Sequence, residues 1–94
     1  MHFEWDEGKN KQLKINRAVC FEDVFIAISE ESLLDILPHH NPVKYPKQKL
    51  FIVEIRDYVY YVTFVESDKT IFLKNIIPSR KYQKLYLVGS QHDN

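Results

Sequence analysis

Apolar positions along the chain change period as it proceeds, from helical spacing in the first third to strand-like runs in the second half. His2–Trp5 reads as a short first strand. Asp6 is a good N-cap, and Asp6 and Glu7 followed by Lys9, Lys11 and Lys14 run from negative to positive along a helix dipole, predicting a first helix over about 6–17. Its apolar residues are chiefly Leu13 and Ile15, so it is expected to lie mostly in water. Phe21, Val24, Phe25 and Ile28 stand at i, i+3, i+4 and i+7, with Glu22 and Asp23 in the first turn. That spacing predicts a second helix whose stripe faces the core. Trp5, Phe21, Phe25 and Phe72 are expected core residues.

Ser32–Leu37 fits a helical turn or a strand equally, and residues 38–47 hold three prolines and form a loop, ordered or mobile. Three β runs follow. Lys49–Arg56 and Tyr58–Val65 meet at a junction short enough for a hairpin, and Ser67-Asp68-Lys69 turns the chain into Thr70–Ile77. Pro78 ends that strand, and Ser79 caps a last helix that stops at Gly89, leaving residues 89–94 as a flexible tail. The order predicts one α+β domain over 1–88, an antiparallel β-meander with two N-terminal helices and one C-terminal helix, the helices covering one face.

Composition narrows the classes. Ninety-four residues with six Tyr, six Phe and one Trp suit a single small core. Two glycines and the absence of a Gly-rich phosphate loop argue against nucleotide-loop enzymes. No apolar run is long enough for a membrane span, and MHFEWDEGK shows no secretory signal. The one cysteine, Cys20, forms no internal disulfide, reads as a small buried thiol, and suits a reducing, cytoplasmic setting. Net charge is zero, but residues 1–42 hold four Lys/Arg against eight Asp/Glu, and residues 43–94 hold nine against five. The cationic C-terminal half hints at an anionic partner.

Candidate chemistry lies in that half. CxxC and HExxH motifs are absent, and His39 and His40 with Asp35 are poorly disposed to share one ion, so neither metal nor cofactor is expected. Alternation in FLKNII puts Lys74 on the face of Phe72 and Ile76, either an ordinary solvent-facing lysine or a cation on a concave sheet surface. Arg80 and Lys84 share one side of the last helix, either as solvated cations of an amphipathic helix or with Arg80 near its N-terminus, where backbone N–H groups favour a phosphate. A loop histidine is ordinarily just exposed. Yet His39 beside Tyr45, Lys47 and Lys49 is also what metal-free RNA cleavage needs: a base, an acid and cations for the phosphorane.

FEWDEGKNKQLKINRAVCFEDV, residues 3–24, resembles the BrnT family of type II toxins, which opens with W-D-E-x-K and reaches G-[VI]-S-F-E-[ED]-[AV] at its second helix. Trp5, Asp6, Glu7, Lys9, Val19, Phe21, Glu22 and Asp23 fall in register with these motifs. IFLKNIIPSRK, residues 71–81, is similar to the family's closing I-I-S-A-R-K segment, with Arg80 at its arginine. The resemblance implies a RelE-like fold and a metal-independent endoribonuclease that inhibits translation. It also implies a ribbon-helix-helix antitoxin, with operator DNA reached only through the antitoxin complex. The chain departs from the family where K-H-G is replaced by Asn16-Arg17-Ala18 and where an E-R pair is replaced by Tyr86-Leu87. Arg17 keeps a positive charge but cannot be a general base near neutral pH.

The expected site is therefore Arg80, His39 and Lys84 for catalysis, with Lys74, Lys49, Tyr45, Arg17 and Lys14 on RNA. The alternatives are a non-catalytic, antitoxin-binding co-repressor that has kept the fold, and an RNA-binding module stacking bases on Tyr58, Tyr60 or Tyr82.

Overall fold

The computed structural model describes residues 2–88, with the backbone alone for Val88. The stop at Gly89 and the tail over 89–94 lie outside the described residues. Five strands form one mixed sheet in the order β1-β5-β4-β3-β2: β1 (His2–Trp5), β2 (Leu33–Pro38), β3 (Gln48–Ile55), β4 (Tyr58–Ser67) and β5 (Thr70–Pro78). Strands β2 to β5 are the antiparallel meander, and β1 joins the edge parallel to β5, pairing Phe3 with Ile71 and Trp5 with Leu73. The ambiguous SLLDIL segment is thus a strand, and the sheet is mixed where pure antiparallel pairing was expected. A parallel partner became possible because two helices carry the chain from one sheet edge to the other between β1 and β2.

Those helices are α1 (Glu7–Arg17) and α2 (Phe21–Ser29). Asp6 caps α1 by accepting from Lys9 N at 3.1 Å, and α1 ends on Ala18 in the left-handed region, φ 54°. The corner between them is held by Asn10, which is buried. Its Oδ1 accepts from Phe21 N at 2.7 Å and its Nδ2 donates to Glu22 Oε1 at 2.8 Å, holding the Glu22 carboxyl below its ordinary range. Arg56 closes the other side by donating to the Ala18 carbonyl at 2.6 Å. Cys20 is half-buried at the start of α2, and burial pushes its thiol above the ordinary value.

Helices α1 and α2 cover one sheet face, where Leu13, Phe21, Val24 and Ala27 pack on Phe51, Val53, Val62, Phe64, Leu73 and Ile76. The stripe of α2 is rotated relative to the expected one. Ala27 is buried, whereas Phe25 is 46% exposed, with its ring set edge-on against Phe3 at 5.5 Å. Helix α1 behaves as a surface helix, burying Asn10 and Leu13 and leaving Ile15 exposed.

The last helix, α3 (Arg80–Gln83), continues as a π-helical turn over Lys84–Val88. It lies on the opposite face, over Leu50, Ile52 and Val59, where Tyr82 is buried and Tyr86 and Leu87 pack. The expectation that all helices share one face is therefore corrected. Leu50 through Val53 form an unbroken buried run, so β3 has apolar side chains on both faces and each must be covered. Ser79 caps α3 through Tyr82 N, as its sequence position suggests, and Gln83 Oε1 accepts from Val59 N at 2.8 Å.

Candidate functional site

A cleft of about 340 Å³ opens on the α3 face of the sheet, lined by the loop after β2, by β3 and β4, and by the bulged part of β5. The loop is ordered by its own hydrogen bonds. Asn41 O accepts from Tyr45 N at 2.9 Å, Asn41 Oδ1 accepts from Lys44 N at 3.1 Å, and Tyr45 O accepts from Gln48 N at 3.2 Å. Asn41 N also donates to His39 Nδ1 at 2.9 Å. An Nδ1 that accepts carries no proton, so the neutral His39 ring keeps its hydrogen on Nε2. The His39 and Tyr45 rings lie 4.6 Å apart at 40°.

His40 turns toward the sheet. Its Nε2 is 2.9 Å from the Tyr82 hydroxyl, and its ring centroid lies 4.8 Å from that of Tyr61. Burial, with His39 and Lys81 adding positive charge, lowers the His40 pKa below its ordinary value and favours the neutral imidazole. Burial pushes the Tyr82 phenol up, so it stays protonated. Lys81 lies with Nζ 5.4 Å from the Tyr82 ring centroid.

Lys74 reaches the cleft through a bulge. Thr63 pairs with Asn75 and Phe64 with Leu73, so Lys74 sits across from no residue of β4. Its Nζ lies 4.9 Å over the Phe72 ring on the cleft side of the sheet. Ile76, which simple alternation would put on that same face, is buried under the helices instead. The extra residue shifts the phase of β5 by one, and that shift sends Phe72 and Lys74 one way and Leu73 and Ile76 the other. Phe72 is consequently half-buried beside the lysine and not part of the core.

Of the residues expected to act, the structure brings His39, Tyr45 and Lys74 into one cleft. It puts the others elsewhere. Lys49 alternates with Leu50, reaches the edge of an apolar groove on the α2 face, and also lines a separate shallow pocket with His39 and Gln48 at the end of β2. Lys14 is exposed on α1, with its charge felt by Glu22, and Arg17 donates to the Ile76 carbonyl. Arg80 and Lys84 are exposed on the terminal helix, outside the cleft lining. Sequence reasoning did not pick out Gln48, Tyr61, Asn75 or Lys81, and it weighed His40 only as a metal ligand. Gln48 and Tyr61 had a usable signal: a two-residue hairpin turn at Arg56-Asp57 fixes Leu50 opposite Thr63 and so the face of each neighbour. Among the described residues, no group of three or more His, Cys, Asp or Glu side chains is placed to hold a metal ion. No described helix is long and apolar enough to cross a membrane.

Comparison with protein-family models gave no match, and neither did comparison with curated proteins or with solved structures.

Proposed function

We propose that this α+β domain is a metal-independent endoribonuclease working in the His39–Lys74 cleft. We further propose that it is the toxin of a type II pair, held by a ribbon-helix-helix antitoxin whose complex reaches operator DNA. The observation that carries the reading is the convergence of two histidines, two tyrosines and a lysine on one cleft of nucleotide size. RNA cleavage by the adjacent 2′-hydroxyl needs only such groups. His40, favoured as the neutral imidazole, takes the 2′-OH proton. The O2′–P bond forms and the P–O5′ bond breaks, leaving a 2′,3′-cyclic phosphate. The Lys74 ammonium, with His39 Nε2–H, holds the phosphate oxygens and gives a proton to the departing 5′-oxygen.

The sequence resemblance to BrnT toxins supports the biological setting. It gains a physical rationale at Ala18, where φ is 54°: the family's K-H-G glycine falls on a left-handed helix end that glycine adopts without strain. A RelE-like fold is part of this proposal.

A second reading, a non-catalytic co-repressor, is favoured by one observation. Both altered family positions make structural contacts, since Arg17 bonds the Ile76 carbonyl and Tyr86 bonds Asp35. Induced expression separates the two. The wild type is expected to arrest growth and shorten bulk RNA, with 2′,3′-cyclic phosphate ends, while Lys74→Met and His40→Ala do neither and remain folded. Folded wild type that leaves growth and RNA intact selects the co-repressor. Arg80→Ala in the same assay reports whether the terminal helix touches the substrate.

A further inference from the structure

We infer that the cleft seats one unstacked nucleobase of a single-stranded RNA, laid against the Tyr45 ring and read by the side-chain amides of Gln48 and Asn75. The inference rests on the ribonuclease reading for its class of ligand and goes on to name which RNA the site accepts.

Size and lining carry the argument. About 340 Å³ lies at the low end of small-ligand sites, which run from about 300 to 1,000 Å³, and suits one nucleotide. A base needs two things from a protein: a flat face to stack on and polar groups at its edge. Tyr45 supplies the face, steadied by the His39 ring 4.6 Å away and by the backbone bond from Tyr45 N to Asn41 O. The edge is supplied by two amides on neighbouring walls. Asn75 Oδ1 already accepts from Ile76 N at 2.9 Å, and its NH₂ group is left to donate to a ligand. The Gln48 side chain has no hydrogen-bond partner among the described residues and offers both a donor and an acceptor. Gln48 stands on the same face as Leu50 and Thr63, so the amide looks into the cleft from the sheet. Lys74 stands next to Asn75 in the chain, which puts the cation where the phosphate joined to that base would lie. Paired RNA presents neither a free face nor a free Watson–Crick edge, so a duplex is excluded from this seat.

The probe is a ten-nucleotide DNA strand carrying one central ribonucleotide, so that a single phosphodiester can be cut. Its base and that of its 3′ neighbour are varied, and 2-aminopurine is used at either place for a fluorescence readout. Wild type is expected to cut the free strand about 100-fold faster than its annealed duplex, because seating the base from a duplex adds the unstacking cost. The spread between best and worst base should be about 10-fold or more, and the Gln48→Ala, Asn75→Ala double variant should shrink it below about 3-fold. Tyr45→Leu, checked as folded by circular dichroism, should raise KM about 5- to 150-fold, with Tyr45→Phe staying closer to wild type. Cutting that is indifferent to pairing, or a base spread untouched by both amide changes, overturns the base seat and leaves the ribonuclease standing. Aminopurine quenching that disappears in Tyr45→Leu, with no strand cut, supports the seat and overturns the ribonuclease. Neither cutting nor quenching overturns both.

Discussion

His40 Nε2 lies 2.9 Å from the Tyr82 hydroxyl, and this contact fastens the loop after β2 to the terminal helix, 42 positions away in the chain. The pair sits between the cleft and the second core cluster, so the geometry of the site and the docking of α3 share one hydrogen bond.

Acid should loosen the fold through His40. Its pKa is lowered in the folded chain, so the unfolded chain binds the extra proton first and stability falls as pH drops below about 6.5. The fall ends below the depressed folded value. The groups facing His40 are His39, Tyr61, Tyr82 and Lys81. Thermal midpoints of wild type and His40→Gln, measured from pH 7.5 to 4.5, should diverge, with the variant showing the shallower decline.

The Tyr86 hydroxyl donates to Asp35 Oδ2 at 2.6 Å, which raises Tyr86 to about 12 and lowers Asp35. For the tyrosine, stability is full below its ordinary value near 10 and is lost as pH rises toward about 12. For Asp35 the sign reverses: the contribution is present above the ordinary carboxylate range and disappears as acid protonates it. Tyr86→Phe should therefore lower the midpoint at pH 7 and flatten the alkaline loss between pH 10 and about 12 seen in wild type.

Removing the Asn10 side chain should be costly for its size. Asn10→Ala strands the Phe21 N–H inside the α1–α2 corner and takes a partner from Glu22. Urea denaturation should show a loss of about 2–3 kcal/mol, mostly from the buried N–H because the Glu22 carboxylate is exposed to water.

Two substitutions to glycine should stabilise. Ala18 and Asp57 hold φ values of 54° and 67°, which side chains disfavour. Ala18→Gly and Asp57→Gly should each add about 0.5–1 kcal/mol in urea titrations. Arg56 shares the same turn conformation at φ 50°, but its guanidinium holds the Ala18 carbonyl, so Arg56→Gly should show no such gain.

The helix caps at Asp6 and Ser79, the period of α2 and the Arg56-Asp57 hairpin were legible because each is decided within a few residues by capping, spacing and turn chemistry. Strand β2 was only half legible. Its LLDILP segment is short, and nothing local separates six apolar-rich residues of strand from a helical turn. For the site, His39, Tyr45 and Lys74 were named from residue type and position, whereas His40, Gln48 and Asn75 needed the paired strands to reveal which side chains face one another.

The amino-acid sequence by itself determined every strand but β2, the two N-terminal helices, the start of the last one, their order and the α+β class, because local propensity and period act along the chain. Tertiary structure decided the parallel seat of β1 beside β5, the placement of α3 on the face opposite α1 and α2, and the bulge that turns Lys74 into the cleft. Those outcomes depend on pairings between residues far apart in the chain. One extra residue in a β ladder reverses every side chain beyond it, and the bulge is visible only once Thr63 and Asn75 have been paired.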